Sequence, residues 1–320
     1  MRTSTLGAAL GAAALVAGAA NAQTVGIAAS KKGSLYDRTG TAIAKVVTNK
    51  GGLSATLRNY TSPNVYLPAL NRGQVDFGLA NQWEMRLAVK GEGHFKGRAM
   101  PNLRAVAIMY PLRIAFFVKK ASNIKTIADL KGKTMPDGYV AQKIIVLLMD
   151  AELATVGISR KQWRPVPVPN VVAGANAFIS GRTDGFLFAL GAPKVREANA
   201  KHGIRALPIA NTPENIAKIR TILPIAYLKA ERPHKANPGI IAPTHVIAYD
   251  AFVIAHKGTS VDAVYKLTKA MHENKVAMGK AFPVLRLFNP KRMAKKLEAV
   301  TFHAGAIKFY KEKGLWPPKM

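Results

Sequence analysis

Polar and aromatic residues that could bind a small molecule follow the apolar runs of this 320-residue chain. Hydroxyls and backbone N–H groups could hold an anionic group, Lys31 could add a charge, and tyrosine rings could cover an apolar part. The predicted ligand-binding residues are Ser30, Lys31, Gly33, Ser34, Leu35, Tyr36, Thr61, Ser62, Asn64, Asn81, Gln82, Tyr110, Asp137, Tyr139, Ala189 and Gly191. For any one of them alone, a solvated lysine or a half-buried tyrosine is an equally good interpretation.

Motifs for catalysis, cofactors and metals are weak or missing in the sequence. The seven histidines are isolated, without a pair at helical spacing, and no Gly-x-Ser-x-Gly pattern occurs. Gly91–Gly97 misses the spacing of a dinucleotide loop by one residue. The chain has no cysteine, which excludes thiol catalysis and cysteine-ligated metals. We therefore predict a protein that is not an enzyme and has neither cofactor nor metal.

A Gly-x-x-Asp pattern occurs twice, at Gly73–Asp76 and at Gly181–Asp184. In both places an apolar helical stretch precedes the glycine and a short apolar run follows the aspartate. Glycine takes the left-handed conformation that ends a helix, so each pattern predicts a turn from helix to strand. Structural aspartates are a better interpretation than a pair of catalytic acids. The repetition predicts two α/β lobes with a cleft between them.

The elements that must position these residues follow from apolar periodicity. Strands are predicted at 24–29, 55–59, 77–80, 114–118, 166–168, 186–189, 205–209 and 249–256, and the segment 103–107 leads to Tyr110 and Pro111. Helices are predicted at 35–47, 65–71, 126–129, 140–153, 171–180, 193–200, 261–278 and 291–298, with a turn at 136–138. We expect lobe I to comprise 23–112 and 246–320 and lobe II to comprise 113–245, joined by a hinge.

The net charge is high, since 47 Lys and Arg against 17 Asp and Glu give +30. These residues are spread along the chain, and the densest cluster, Lys291–Lys296, is interpreted as a solvated helix face. Adaptation to the surroundings is therefore favoured over a nucleic-acid partner, while attraction of anionic ligands stays open.

The first residues have the pattern of a secretory signal peptide. Arg2 is followed by the apolar stretch Leu6–Ala20, and cleavage is expected after Ala22. The stretch is rich in Ala and Gly and shorter than the roughly 20 apolar residues of a membrane span. We expect a periplasmic monomer whose stability comes from core burial instead of disulfides.

Five segments resemble one family of solute receptors, the TAXI receptors of tripartite ATP-independent periplasmic (TRAP) transporters. They are Ile27–Tyr36, Asn59–Asn64, Gly73–Ala80, Ile124–Lys133 and Phe302–Leu315. The resemblance implies an α/β periplasmic binding protein of type II, with a mixed sheet flanked by helices in each lobe. It also implies TRAP membrane subunits as partners.

The chain departs from the family pattern in two loops. Lys31 and Lys32 replace small residues, and a helix-start segment is shortened to Met135–Val140. We therefore expect a small organic solute, with a carboxylate favoured, that differs from the amino acids and dicarboxylates of some relatives. Asp137 would instead favour an amine or hydroxyl if it faces the cleft. The alternatives are a receptor for an ABC importer, a periplasmic enzyme and a cationic surface-binding protein.

Overall fold

The computed structural model describes residues 22–318, which fold into alternating strands and helices. The strands are β1 Gln23–Ala29, β2 Leu53–Asn59, β3 Phe77–Asn81, β4 Leu103–Lys119, β5 Thr134–Gly138, β6 Arg164–Val168, β7 Gly185–Ala189, β8 Ile204–Ala206, β9 Tyr227–Glu231 and β10 Thr244–His256. The helices are α1 Leu35–Lys50, α2 Pro63–Asn71, α3 Gln82–Lys90, α4 Ile144–Ala154, α5 Val171–Ile179, α6 Pro193–His202, α7 Pro213–Ile222, α8 Val261–Glu273, α9 Lys275–Ala281 and α10 Ala304–Glu312. All of the predicted signal peptide except Ala22 lies outside the described residues.

Eight of the strands form one mixed sheet in the order β2-β1-β3-β10-β4-β7, with β8 paired to β4 and β9 paired to β10. β1 runs parallel to both β2 and β3. β10 runs antiparallel to β3, β4 and β9. A second, two-stranded sheet pairs β5 with β6 in parallel. These sheets and their flanking helices confirm the predicted α/β class.

β4 and β10 are long strands that connect the two halves of the large sheet. Ala251–Ala255 of β10 pairs with β3, while Thr244–Ala248 pairs with β9. In β4, the stretch from Leu103 to Ile114 pairs with β10, and Ile114–Val118 pairs with β7. The predicted strand 114–118 is the last part of β4, which begins at Leu103 and is continuous through Pro111.

The pairing of β4 with β10 is irregular near Pro111. Pro111 pairs with Asp250, and the register shifts between Asp250 and Phe252. A proline has no N–H for the ladder and is tolerated at such a bulge. The chain therefore passes Pro111 without leaving the sheet. The lobe boundaries at 112/113 and 245/246 stay predictions.

The repeated Gly-x-x-Asp pattern has the predicted structural role in both places. Gly73 and Gly181 follow α2 and α5 with φ of 72° and 81°. Asp76 Oδ2 accepts a hydrogen bond of 2.8 Å from the backbone N–H of Gly26 in β1. Asp184 Oδ2 accepts one of 2.7 Å from the N–H of Thr134 in β5. Each aspartate thus ties the strand that follows it to another strand.

The predicted turn at 136–138 is wrong, because these residues belong to β5. Pro136 pairs with Val166, and Asp137 pairs with Pro167. Both strands are edge strands of a two-stranded sheet, where a proline's missing N–H need not interrupt a ladder.

Four predicted helices differ from the structure. The predicted helix 126–129 is only a 3₁₀ turn, Ala128–Leu130. α4 begins at Ile144 instead of Val140, because the N–H of Ala141 donates to the carbonyl of Pro169. The predicted helix 261–278 is divided at Asn274 into α8 and α9. The predicted helix 291–298 is wrong: beyond a short 3₁₀ turn the segment is irregular, and the carbonyl of Met293 accepts from Ile108 N–H in β4.

Two features are missing from residues 22–318. No helix in this part of the chain combines the length and the hydropathy needed to cross a bilayer. The same residues contain no group of three His, Cys, Asp or Glu side chains placed to hold a metal ion.

Candidate functional site

A cavity of about 60 Å³ lies where the carboxyl ends of β1, β3 and β7 meet the starts of several helices. The volume is several times the ~10–15 Å³ that one water requires. Six of the predicted ligand-binding residues lie on its wall, namely Ser30, Ser34, Leu35, Tyr36, Asn81 and Ala189. The wall therefore combines loops from the first and second halves of the chain.

Most of the remaining wall is apolar. Leu112 and Ile114 of β4 and Leu187 and Phe188 of β7 form one side. A second apolar side consists of α4 residues, namely Ile144, Ile145 and Leu148. A solute in this cavity would exchange water for hydrocarbon over much of its surface, which favours a solute with an apolar body.

Five helices begin at the wall of the cavity. Their first residues or N-caps on the wall are Leu35 of α1, Pro63 of α2, Asn81 of α3, Ile144 of α4 and Val171 of α5. A helix N-terminus carries unpaired N–H groups and a partial positive charge. These N-termini therefore contribute positive potential to the cavity, and Glu84 is the only charged residue of the described chain on its wall.

Three polar side-chain atoms on the wall are buried without a hydrogen-bond partner among the described residues. They are Ser30 Oγ, Tyr36 Oη and Glu84 Oε1. A buried polar group that lacks a partner costs about 1–3 kcal/mol. A solute that contacts these three atoms would recover part of that cost.

Glu84 lies in the first turn of α3 and is fully buried. Its backbone N–H donates to Asn81 Oδ1 at 2.8 Å, and Asn81 Nδ2 donates to Glu84 Oε2 at 2.6 Å. Burial raises the pKa of Glu84 to about 8, although the hydrogen bond from Asn81 opposes that rise. Tyr36, Tyr66 and Tyr249 are close enough to interact electrostatically with its carboxyl. At neutral pH the carboxyl of Glu84 is therefore mostly protonated and can donate a hydrogen bond.

Lys31, Asp137 and Tyr110 do not lie on the cavity wall. Lys31 is exposed. Asp137 accepts a hydrogen bond of 2.7 Å from Arg160 and one of 3.0 Å from Trp163 Nε1. The hydroxyls of Tyr110 and Thr39 are 2.7 Å apart and hydrogen-bonded. The expected cationic contact is thus absent from the described wall, and the Asp137 carboxylate is engaged by Arg160 and Trp163.

The other predicted residues lie around the cavity but not on its wall. Ser62 is buried and donates from Oγ to the carbonyl of Ala141. Gly33 lies against Lys194. The remaining predicted residues off the wall are the half-buried Thr61, Asn64 and Gln82 and the buried Tyr139 and Gly191.

Sequence reasoning missed Glu84, Gln142 and Tyr249 on the wall. Glu84 had a detectable signal, because Asn81-x-x-Glu84 has the spacing of a capped helix start directly after a strand. The apolar wall residues had none, since Leu112 or Leu187 cannot be distinguished from a core residue by type or spacing.

Comparisons with solved structures show the same fold at low sequence identity. A structure described as a periplasmic transporter has a TM-score of 0.58 and 15% identity, covering 92% of this chain and 93% of that one. The binding protein component of an ABC phosphonate transporter from Pseudomonas aeruginosa has a TM-score of 0.53, 12% identity and coverage of 83% and 80%. An R. palustris protein with adipate has a TM-score of 0.53, 16% identity and coverage of 78% and 82%.

The fold is thus that of the two-lobed periplasmic binding proteins. The sequence profile of one family, described as NMT1-like, matches residues 27–314. That match includes every wall residue of the cavity. The chain belongs to the NMT1-like family.

Proposed function

We propose that this protein is an exported solute-binding subunit of an importer, which captures a small organic solute between its two lobes. The cavity carries the proposal, because its wall joins Ser30 and Asn81 from predicted lobe I with Gln142 and Phe188 from predicted lobe II. Solute contacts to both lobes would favour the closed state, and only differential affinity for that state can drive closure. The protein breaks no bond in this role.

The membrane partner in this proposal is an ABC importer. The family match is to the NMT1-like profile, and one structural neighbour is the binding protein component of an ABC phosphonate transporter. The structural neighbour supports the ABC partner over the TRAP partner that the TAXI resemblance implies, whereas the NMT1-like profile names neither. Reconstitution with the cognate permease tests the choice, because solute-loaded protein should stimulate ATP hydrolysis. Uptake that needs an ion gradient and no ATP would indicate a TRAP partner.

The proposed solute has an apolar body and a hydrogen-bond-accepting end, with a carboxylate favoured. Helix N-termini, the hydroxyls of Ser30 and Tyr36 and the protonated carboxyl of Glu84 all donate toward an acceptor. The aliphatic wall would bury the body. A carboxylate would be held by these dipoles and hydroxyls without an arginine or lysine from the described wall.

A thermal-shift panel tests this solute class. It tests the mature protein with carboxylates, amides and amines on matched C3–C6 aliphatic skeletons, together with amino acids and sugars. We expect at least one carboxylate to raise the melting temperature by mass action, and the amine of the same skeleton to be inactive. Shifts from amines alone would overturn the carboxylate assignment and leave the receptor function standing. No shift with any organic acid, amino acid or sugar would contradict the receptor function itself.

Tyr36→Phe tests whether the solute binds in this cavity, because the substitution removes one hydroxyl from the wall and keeps the ring. We expect about fivefold weaker solute binding from the loss of a hydrogen bond worth about 1 kcal/mol. Tyr265→Phe is the matched control, since its hydroxyl bonds to Glu312 at 2.7 Å, away from the cavity. Equal affinity of both variants and the wild type would refute this location of the site.

A further inference from the structure

A second concavity, of about 830 Å³, shares no residue with the wall of the solute cavity. Its floor is the stretch Ile108–Pro111 of β4 together with Asp250 of β10. Residues of 287–295 form one side, and Gly314, Leu315 and Pro317 close an end. We call this concavity the basic groove. Its volume lies within the ~300–1,000 Å³ of typical small-molecule sites.

Four cationic side chains line the basic groove, namely Lys229, Lys291, Arg292 and Lys295. Its one acidic residue, Asp250, is ion-paired with Lys295. Lys229, Lys291 and Arg292 have no carboxylate partner among the residues that the structure describes. Three uncompensated positive charges therefore converge on one concave surface.

The neighbouring concavity, of about 290 Å³, extends this charge. It shares Lys229 and Leu287 with the basic groove and adds Arg232 and Arg286. Its only acidic residue, Glu231, is ion-paired with Arg113 at 2.8 Å. Each acid in this region thus has its own cation, and the remaining positive charges have none. A cleft lined by charges of one sign concentrates the electric field, and this raises the local concentration of counter-ions.

We propose that the basic groove is a second binding site, for a small multivalent anion such as an oligophosphate or a polycarboxylate. Several charges on one compact ligand can contact Lys229, Lys291 and Arg292 together, whereas monovalent anions cannot. Concave walls and a limited volume favour a compact ligand over an extended polymer, which would need a surface continuing beyond the groove. The site shares no wall residue with the solute cavity.

Titration calorimetry on the mature chain tests this site with tripolyphosphate and citrate as probes, in buffer with 150 mM chloride. We expect saturable binding of one probe molecule per chain. Lys291→Gln combined with Arg292→Gln should weaken it at least tenfold. These two side chains are exposed, so the fold should persist, and an unchanged melting temperature would show this. Lys229→Gln is an independent variant with the same expected direction.

The matched control combines Lys275→Gln with Lys296→Gln, which removes the same charge from exposed positions off the groove wall. We expect less than a twofold effect on probe binding. Tyr36→Phe, in the solute cavity, should also leave probe binding unchanged. Absence of saturable binding, or equal losses in both double variants, would overturn the proposal. Tighter binding of heparin than of tripolyphosphate, with equal losses in both variants, would assign the charge to polymer binding instead.

Discussion

Burial and neighbouring groups bring the pKa of the Glu84 carboxyl close to physiological pH. Its position at the start of α3 favours the anion through the helix dipole, and Asn81 donates to it. Loss of hydration opposes both effects and raises the pKa to about 8. The protonation state of this one residue therefore decides whether the cavity offers a donor or a negative charge.

Carboxylate binding should depend on pH through Glu84. Protonated Glu84 donates to the solute, so affinity should be constant from about pH 6 to 7. It should fall as pH rises through about 8, approaching about tenfold per pH unit at higher pH because one proton is taken up with the solute. Glu84→Gln keeps a neutral donor in nearly the same shape and should remove this dependence. Calorimetry at pH 6, 7, 8 and 9 measures both proteins.

The opposite sign of the pH dependence would change the solute class. An amine would pair with ionised Glu84, so its affinity would rise through about pH 8 and be lost in Glu84→Gln. A pH-independent affinity in the wild type would mean that the solute does not contact this carboxyl.

At the residue level, sequence reasoning found wall residues whose signal is local. Ser30 and Asn81 directly follow predicted strands, and Tyr36 lies at the start of the next predicted helix, where helix N-termini meet ligands in α/β folds. Lys31, in the same loop, is exposed, because the sequence does not specify which side of a loop faces the cavity. Glu84 could have been found from its capping spacing, but its burial depends on tyrosines as distant as Tyr249.

Among the elements, the two helix-to-strand turns were predicted because glycine has a backbone conformation that other residues avoid. Gly73 and Gly181 both have positive φ. The predictions failed at β5 and at 291–298. In β5 the sequence Pro136-Asp137-Gly138 suggested a turn, and at 291–298 helical spacing gave way to the contact of Met293 with β4. In both segments, contacts with residues distant in the chain determined the backbone structure, which differs from the one that the local pattern predicts.

Alanine at Gly73 or Gly181 should destabilise the protein by about 1–2 kcal/mol, the cost of placing a side chain in the left-handed region. A Cβ at Gly181 would meet no atom within 4 Å, and one at Gly73 would lie 3.5 Å from the His256 ring. The cost is therefore one of backbone conformation in both variants. Urea denaturation measures it, with exposed Arg182→Ala as the control. A loss below 0.3 kcal/mol in both variants would contradict this interpretation of the turns.

In the whole molecule, segments that are distant in the chain come into contact beside the cavity. Ser62 donates to the carbonyl of Ala141, and Gly33 packs against Lys194. Each contact links predicted lobe I to predicted lobe II beside the cavity. A binding protein that closes by population shift gains affinity from contacts made only in the closed state.

Ser62→Ala should weaken solute binding about fivefold through closure, because it removes a hydrogen bond worth about 1 kcal/mol. The Ser62 side chain does not cap α2, so the helix should keep its stability. Small-angle scattering should show a larger radius for the unliganded variant than for the wild type. Ser122→Ala, whose hydroxyl bonds to the Lys119 carbonyl, is the control. Unchanged affinity and radius would show that this contact does not govern closure.

The sequence by itself determined the α/β class, most elements, the doubled turn and the strand-end loops that carry Ser30, Tyr36 and Asn81. These features depend on periodicity and backbone preference, which act over a few residues. Only the tertiary structure decided that Glu84 is buried and that Lys31 faces solvent. It also brought Lys229 and Arg292 to one groove. Desolvation and electrostatic convergence depend on atoms that are close in space and far apart in the chain, so no local pattern encodes them.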